Sequence, residues 1–367
     1  MKKYSLLFFL CCYLCTGMAQ QSSAYLKRLS DSTIRMFLDE KYYLAQENCE
    51  FKAKERVAGF DFKTNKFHGP FKEFNLNGRM VLTGNYIAGE KDGLFTAFHG
   101  NGNKKWTVQF SKDVPIGDWT YYYPDELPML IMKYDSTGGV RVDSYWDTKR
   151  KKLVDNGKGT FSMIYPFQGF SEYGYPSYNR RGKIVNGVPE GYWPIYFLDH
   201  KNSATLAAEE YFKEGAFQGG LNLFTDGSYT LSPFSFSPID NFVRAEQFIS
   251  KDCNFDEFSN FNQYLMQKFE QILSNYNLKS LMNQPISYQI SVSKKGVPKS
   301  LIFTRPLDQP KVQEVLERGI NMIPFYYPTW KDGQEIDDTL QVVADLQVNE
   351  LGKAQFYNLK IQRNNSK

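Results

Sequence analysis

The pattern of apolar and polar positions between Gly69 and Tyr134 repeats with a period of 24 residues. Each copy begins with a glycine that is followed two and five residues later by an aromatic side chain. The three copies of this motif span 69–74, 93–98 and 117–122. A self-similar period of this length predicts a repeat architecture built from one supersecondary unit.

Asparagine–glycine pairs divide the first two copies into halves, at Asn77–Gly78 and Asn101–Gly102. Such a pair between apolar runs is a strong hairpin signal, because both residues adopt positive φ readily. Each copy is therefore predicted to form a two-strand antiparallel hairpin, and successive hairpins are predicted to extend one sheet. The two aromatic positions of a copy, such as Phe71 and Phe74, are three residues apart, so we expect them on opposite faces.

The region 59–226 resembles the MORN family in its variant form, which is common in secreted proteins of the Bacteroidetes type. The resemblance rests on the glycine–aromatic motif, the Asn–Gly turn and the Tyr-x-x-Gly element at Tyr86–Gly89. Degenerate copies follow at 145–159, 186–196 and 211–224. The resemblance implies an elongated antiparallel β-hairpin sheet, for which the segment 20–58 would be the N-terminal cap. In other proteins such repeats are suspected of contacting membranes or partner proteins.

The period of the repeat fails at two places. The segment Asp125–Pro128 replaces the Asn–Gly turn of the third copy, and prolines within Tyr165–Arg181 indicate an inserted loop. If the array carries a binding surface, we expect it at these two places.

After Phe255 the periodicity changes to that of a small α+β domain. Apolar residues at steps of three and four predict a helix over 256–281. Alternation of apolar and polar residues predicts strands at 286–292 and 340–348, with a second strand at 300–304 and a helix from Pro310 between them. The serine- and proline-rich segment 227–254 is predicted to be a linker, and 351–367 a tail.

The order helix, strand, strand, helix, strand over 255–350 resembles the carboxy-terminal domain of the TonB family. The matching segments are 290–299, with a turn at Gly296, and 324–334, with Pro328 and Gly333 before the last strand. The resemblance implies a small α+β fold and a periplasmic address. The predicted fold class is therefore β-rich α+β: an elongated MORN-like hairpin sheet followed by a TonB C-terminal-like domain.

Residues 1–19 have the pattern of a secretory signal peptide. Lys2 and Lys3 precede an apolar run, and the small residues of 17–19 form a cleavage site that would leave Gln20 first. The predicted protein is exported, and periplasmic or outer-membrane-associated. Cys49 and Cys253 remain after cleavage and are a candidate disulfide in an oxidising compartment, with two buried thiols as the alternative.

Composition and charge limit the chemistry that we expect. Aromatic residues make up 16% of the chain, which favours strands. Removal of the leader with Lys2 and Lys3 would lower the formal net charge from +4 to +2, which is near balance. The longest basic run, 149–152, predicts a solvated turn rather than a nucleic-acid site. The chain has three histidines, and none lies in a recognisable metal-binding or nucleophile motif. We expect no catalytic, cofactor-binding or metal-binding residues, and no enzyme activity.

The sequence favours a non-enzymatic secreted or periplasmic protein of a Gram-negative cell envelope that binds a partner as a scaffold. The open sheet and a β-edge of the C-terminal domain would bind an envelope or outer-membrane protein by strand addition. We expect the closing strand to be the docking edge; its residues are Leu340, Val342, Val343, Asp345 and Gln347. The alternatives are an accessory TonB-like protein acting with outer-membrane transporters and, less favoured, a hydrolase.

Overall fold

The computed structural model describes residues 25–134, 139–167, 173–238, 242–332 and 334–364. The predicted signal peptide lies outside these residues. The contacts divide the chain into two compact units, the first ending at Cys253 and the second beginning at Asn254. The described chain is β-rich with a large antiparallel sheet and a few helices, so the predicted β-rich α+β class is confirmed at that level.

Nineteen strands of the described residues belong to the sheet of the first unit. In chain order they are β1 (Leu26–Ser30), β2 (Thr33–Leu38), β3 (Leu44–Ala45), β4 (Lys54–Asp61), β5 (Lys66–Asn75), β6 (Met80–Ile87), β7 (Glu90–Lys91), β8 (Gly93–Phe98), β9 (Lys104–Ser111), β10 (Val114–Tyr122), β11 (Pro128–Tyr134), β12 (Val140–Trp146), β13 (Lys152–Asp155), β14 (Lys158–Pro166), β15 (Ser177–Val185), β16 (Val188–Leu198), β17 (Ala204–Lys213), β18 (Ala216–Asn222) and β19 (Gly227–Tyr229). Neighbours along the chain pair antiparallel almost throughout, so the sheet is a long meander.

Three hairpins of this meander, β5–β6, β8–β9 and β10–β11, have the same register. The pairs at equivalent positions are Gly69↔Tyr86, Gly93↔Phe110 and Gly117↔Tyr134. The register shifts near the far end of each hairpin, again at equivalent positions. Residues that are 24 positions apart in the sequence thus occupy equivalent positions in successive hairpins.

The glycine that opens each copy has a conformational reason. Gly69, Gly93 and Gly117 have φ of +97°, +93° and +70°, a region that side chains other than glycine adopt at a cost. Gly69 and Gly117 lie inside strands β5 and β10, at the places where the pairing with the preceding strand shifts register. The glycine–aromatic motif therefore encodes an irregularity of strand pairing as well as the packing.

The rings of one motif lie on opposite faces of the sheet. The first rings of the three copies, Phe71, Phe95 and Trp119, are buried in the core, whereas the second rings are half-buried. We call the buried side the inner face and the other side the outer face. The core on the inner face continues through the later strands, where Phe161 and Trp193 are also fully buried.

The segment predicted as a linker, 227–254, packs on the inner face. It begins with strand β19 and continues as the covering segment, which we define as residues 232–238 and 242–253, including a short 3-10 helix, Phe242–Gln247. Its rings contact the sheet core: Phe236 stacks on Phe161 at 5.1 Å, and Phe242 lies 5.5 Å from Trp106. The predicted linker is therefore part of the first unit, because its phenylalanines bury the face that a single sheet leaves open.

The covering segment is tied to the N-terminal strands at its far end. Leu44 exchanges backbone hydrogen bonds with Ile249 and Lys251, at 2.8 and 3.2 Å. Cys49 and Cys253 form a disulfide, with their Cα atoms 5.7 Å apart. The predicted cap segment 20–58 therefore holds the end of the covering segment as well as the first strands.

The second unit contains a four-stranded sheet and a two-stranded hairpin. Its helices are α1 (Phe255–Phe258), α2 (Phe261–Leu273) and α3 (Pro310–Asn321), and its strands are β20 (Gln284–Val292), β21 (Pro298–Arg305), β22 (Thr329–Lys331), β23 (Gln334–Ile336), β24 (Asp338–Val348) and β25 (Ala354–Arg363). Helices α2 and α3 bury their apolar side chains against the alternate residues of β20 and β24. The single predicted helix over 256–281 is interrupted, because Asn260 adopts the left-handed conformation between α1 and α2.

The predicted docking edge of the closing strand is wrong. The sheet order is β21-β20-β24-β25, so β24 has a paired neighbour on each side. The predicted tail 351–367 supplies the strand β25, which occupies the edge that Val343 and Asp345 were expected to present. A strand whose amides and carbonyls are paired on both sides has no groups left for a further strand.

Candidate functional site

A cavity of about 720 Å³ lies between the inner face of the first unit and the covering segment. The described residues that line it are Lys91, Lys105, Phe110, Asp113, Trp119, Tyr165, Pro166, Tyr178, Ser235, Ser237, Pro238, Phe242 and Val243. Its volume falls within the range of roughly 300–1,000 Å³ that small-molecule sites occupy. Five of these residues are aromatic, and charged groups and serines lie among them.

The sheet supplies one wall of the cavity and the covering segment supplies the other. Phe110 and Trp119 come from β9 and β10, and their rings lie 6.1 Å apart in an edge-to-face arrangement. Tyr165 and Tyr178 come from β14 and β15 and stack at 5.3 Å. Phe242 closes the cavity from the covering segment, 6.4 Å from Phe110. The two tyrosines lie in the stretch Tyr165–Arg181, where the period of the sequence fails.

Two buried arginine–glutamate pairs hold the covering segment on the sheet. Arg180 donates to the Glu210 carboxylate at 2.8 Å and also to the backbone carbonyls of Phe234 and Ser235, both at 3.2 Å. An arginine can make these contacts together because its guanidinium group carries five donors in a fixed plane. The sequence gives no hint of this role, since the partners lie 30 and 54 residues away along the chain.

The second pair repeats this arrangement nearer the N-terminus. Arg56 donates to the Glu73 carboxylate at 2.6 Å and to the carbonyl of Phe242 at 3.3 Å. Burial by itself would lower the pKa of Arg56, but the adjacent Glu73 carboxylate raises it above its ordinary value. The guanidinium therefore stays charged in a site that solvent does not reach.

Among the charged residues that line the cavity, Lys91 has two acidic partners. The Lys91 ammonium lies 2.5 Å from Asp113 and 3.0 Å from Glu246, which also accepts the hydroxyl of Tyr86 at 2.8 Å. Burial raises the pKa of Asp113, but the hydrogen bond from Lys91 outweighs it and the net shift is downward. Asp113 is half exposed, so this group lies where the cavity meets solvent.

The polar groups of the cavity wall differ in their hydrogen-bond partners. The indole nitrogen of Trp119 is buried and has no hydrogen-bond partner among the described residues. The hydroxyl of Tyr178 accepts from the backbone of Ser235 at 3.0 Å, and the hydroxyl of Ser237 pairs with that of Tyr121 at 2.8 Å.

The outer face of the first unit carries exposed aromatic residues on strands β14 to β17. Tyr192 and Tyr211 are directly opposite in the strand pairing, and their rings lie 5.5 Å apart. Arg181 lies over the ring of Tyr196 at 4.2 Å and donates to its hydroxyl at 2.6 Å. We call these residues and Ile164 the outer tyrosine patch; it comprises Ile164, Arg181, Tyr192, Tyr196 and Tyr211.

The side chains of the patch are exposed to solvent and also contact neighbouring side chains. Tyr192 and Tyr211 are 44% and 49% exposed, and Ile164 is 57% exposed. Partial desolvation and the hydrogen bond to the Glu209 carboxylate raise the pKa of Tyr192 to about 12. The Tyr192 hydroxyl is therefore neutral at physiological pH.

The histidines of the first unit lie apart: His68 is within strand β5, and His99 and His200 are in the turns after β8 and β16. His68 accepts the backbone N–H of Ala88 at 3.2 Å, and His99 lies 2.9 Å from the carbonyl of Tyr122. Within the described part of the chain, no group of three or more His, Cys, Asp or Glu side chains could hold a metal ion. None of the described helices is both long enough and apolar enough to cross a membrane.

The predicted docking residues of β24 lie within a sheet rather than at its edge. Leu340 and Val342 are fully buried under the helices. Val343, Asp345 and Gln347 point to the other face, where Asp345 accepts a hydrogen bond from Asn358 of β25 at 2.8 Å. These residues therefore do not form a common site.

Comparison with known proteins gives no family for this chain. No family model matches the sequence, and no curated protein matches it. Among solved structures, the chain is similar to a mutant of TarM from S. aureus with 10% sequence identity and a TM-score of 0.13. The match covers 40% of this chain and 24% of that chain, and a likeness this weak carries no argument.

Proposed function

We propose that the protein is a non-enzymatic binding or scaffold protein, secreted or periplasmic, of a Gram-negative cell envelope. The outer tyrosine patch would bind an envelope or outer-membrane protein. The observation that carries the proposal is the exposed pair Tyr192 and Tyr211 beside Arg181 on the uncovered face of the sheet. Tyrosine and arginine are enriched at protein interfaces and among the residues that dominate binding energy.

The order of the patch supports this proposal. Arg181 is held by Tyr196, and Tyr192 is held by its hydrogen bond to Glu209, at 2.6 and 2.8 Å. Side chains that already have their bound geometry lose less conformational freedom on association. A rigid sheet that presents such residues is suited to a protein partner with a matching surface.

The disulfide supports the location. Disulfides form and persist in secreted and periplasmic proteins, whereas they are rare in the bacterial cytoplasm. The Cys49–Cys253 bond joins the first strands to the end of the covering segment, so it closes most of the first unit into one loop. An exported protein gains from this bond because it folds where thiols are oxidised.

A capture experiment tests the proposed function. Tagged wild-type protein, Tyr192→Ala/Tyr211→Ala and Tyr357→Ala are each incubated with an envelope extract of the source bacterium after mild crosslinking. Tyr357 is a matched control, since it is 41% exposed on the second unit. Removing two interface tyrosines should cost at least about 2 kcal/mol, or roughly 30-fold in affinity.

We expect at least one envelope protein to be captured by the wild type and by Tyr357→Ala and lost with the double variant. The same set of proteins captured by all three would contradict the role of the patch. Circular dichroism of the three proteins checks that the sheet is intact.

We infer further that 59–226 is a MORN-variant array and that 255–350 is a TonB C-terminal-like domain. The equal registers of three hairpins support the first inference, and the order α2, β20, β21, α3, β24 supports the second. An accessory TonB-like role with outer-membrane transporters is the second candidate function. It is favoured by β21, whose outer side is unpaired among the described residues and whose Ile302 is 65% exposed.

The N-terminus of the protein isolated from cells separates the two candidates. An accessory energy-transducing role requires the leader to be retained as an anchor. A chain that begins at Gln20 therefore favours the binding or scaffold role, and a chain that keeps Lys2 and Lys3 favours the TonB-like role.

A further inference from the structure

The outer tyrosine patch lies on the face of the sheet rather than at an edge. It is carried by strands β14 to β17, each of which is paired on both sides. Their backbone amides and carbonyls are therefore used within the sheet, and a partner contacts this face through side chains. An extended segment that lies across the face receives no backbone hydrogen bonds from the strands. Each N–H group of that segment that loses water without a new partner costs about 1–3 kcal/mol.

Proline removes this cost because it has no backbone N–H. A proline-rich segment also adopts polyproline II, which is extended and has no internal hydrogen bonds. Because this conformation is formed before binding, the segment loses little conformational freedom when it docks on aromatic rings. A proline-rich segment is therefore the kind of chain that fits an aromatic sheet face.

The patch presents two aromatic ridges. Tyr192 and Tyr211 form one, and their ring planes are inclined at 53°, so the pair is an uneven surface rather than a flat platform. Tyr196, four residues further along β16, forms the other. Four residues of a strand span about 13 Å, and about four residues of polyproline II cover the same distance. A segment of about seven residues therefore reaches both ridges.

The size of the patch also favours a short segment. Five residues form the patch, whereas a standard protein–protein interface uses about 20–30 residues on each side. A linear segment matches a surface of this size better than the face of a folded domain does.

Arg181 adds a preference for negative charge. Its guanidinium group lies over the ring of Tyr196 and donates to the hydroxyl at 2.6 Å. Among the described residues no carboxylate pairs with it, whereas the neighbouring Arg180 has a buried carboxylate partner. The remaining N–H groups of the guanidinium can hold a carboxylate by two hydrogen bonds, as arginine commonly does. Glu209 accepts the hydroxyl of Tyr192 at the other ridge, so the two charges of this face serve different ridges.

We propose that the patch binds a proline-rich extended segment of its partner, and that this segment carries an acidic side chain. The inference rests on the proposed function and specifies the partner of the same site. The prolines pack on the rings of Tyr192, Tyr211 and Tyr196, and the acidic side chain pairs with Arg181. The Tyr196 hydroxyl accepts from Arg181, so its own proton is directed to a backbone carbonyl of the segment.

Isothermal titration calorimetry with the full chain tests the proposal. The main probe is an acetylated and amidated peptide of six prolines with one aspartate at its centre. In a second peptide lysine replaces the aspartate, in a third serine and glycine replace the prolines, and cellotriose is the glycan probe. We expect saturable binding of the aspartate peptide, about fivefold tighter than binding of the lysine peptide and at least about tenfold tighter than binding of the serine–glycine peptide.

Variants locate the binding on the patch. Tyr192→Ala/Tyr211→Ala should weaken binding of the aspartate peptide at least about tenfold, and Tyr357→Ala less than about twofold. Arg181→Gln should abolish the preference for aspartate over lysine. Arg28→Gln is its matched control and should keep the preference, since Arg28 is also exposed and lies 4.3 Å from the centre of a phenylalanine ring of the first unit.

Four outcomes would overturn the proposal. They are no saturable binding of the aspartate peptide up to millimolar concentration, equal affinity for the serine–glycine peptide, unchanged affinity in the double variant, and binding of cellotriose at the patch in place of the peptide. Thermal unfolding of every variant is measured first, and Tyr211→Ser replaces the double variant, with the same expectation, if that variant does not fold. Capture of an envelope protein that still depends on Tyr192 and Tyr211 would leave the proposed function standing, so the two proposals fail separately.

Discussion

At the residue scale, the first unit contains a few buried charged groups, each of which has an oppositely charged partner. Arg56, Glu73, Arg180 and Glu210 are all buried in an otherwise apolar face. Buried charges are tolerated when each has a partner and further hydrogen bonds, and here the extra acceptors are carbonyls of the covering segment. These residues therefore connect the sheet to the covering segment. Their hydrogen bonds are directional, so they fix its position more closely than aromatic packing alone does.

Removing one member of a pair should destabilise the first unit. Glu210→Gln leaves Arg180 as an uncompensated buried charge, and the free energy of unfolding should fall by about 3–5 kcal/mol. Urea unfolding followed by tryptophan fluorescence measures the change. Asp31→Asn, which removes the exposed pair with Arg28, is the control and should leave the urea midpoint unchanged. Equal midpoints for Glu210→Gln and wild type would show that the pair does not hold the segment.

We expect titration of Tyr134 to lower the free energy of unfolding at alkaline pH. Burial raises the pKa of Tyr134 to about 12, above the ordinary value near 10, so the folded state holds the phenolic proton more tightly. Its contribution is complete below about pH 10 and is lost as the pH rises towards 12. Tyr134→Phe cannot titrate, so its unfolding free energy should fall less steeply than that of the wild type across this window. Urea titrations at pH 9, 10 and 11 compare the slopes, and parallel curves would refute the argument.

At the element scale, the sequence predicts the hairpins well and the coverage of the sheet poorly. The 24-residue step, the repeat glycines and the two faces of Phe71 and Phe74 follow from local chain geometry, which a single sequence records directly. The covering segment does not, because Phe234 and Phe236 lie among serines and prolines that normally indicate a linker. Their burial depends on strands far away along the chain, such as those of Phe161 and Tyr165.

The second unit shows the same limit. The alternating pattern of β24 correctly predicts a strand, but whether a strand is central or at an edge depends on its neighbours. The segment Ala354–Arg363 pairs with β24 although its own alternation is interrupted by Asn358, which has a positive φ. The register shift between Val343 and Asp345 lies opposite this residue. An irregular edge strand of this kind leaves little periodic signal in the sequence.

We expect removal of the disulfide to lower the stability of the first unit. Cys49→Ser/Cys253→Ser removes the link across a sequence separation of 204 residues, and chain entropy sets the loss at about 5 kcal/mol or less. The urea midpoint of the first unit should therefore fall. Addition of a reductant should lower the midpoint of the wild type and leave the double variant unchanged. No effect of the reductant on the wild type would mean that the covering segment is held by its other contacts.

At the scale of the whole molecule, the two units have separate cores. The buried apolar residues of the first unit form one cluster between Ile34 and Ala245, and those of the second form another between Phe261 and Leu359. In the first unit one face of the sheet is used for stability and the other is exposed. The proposed partner binding needs this division, since a face cannot both bury its rings and present them.

The measurement that tests the account most directly is site-specific photo-crosslinking in cells. A benzoyl-substituted phenylalanine is placed at position 211 in the outer tyrosine patch, and at position 357 in the second unit as the control. After irradiation of intact cells, we expect position 211 to give a discrete crosslinked product with an envelope protein, and Tyr192→Ala in the same chain to remove it. Absence of a product at position 211, or the same product at position 357, would contradict the assignment of the patch as the binding surface.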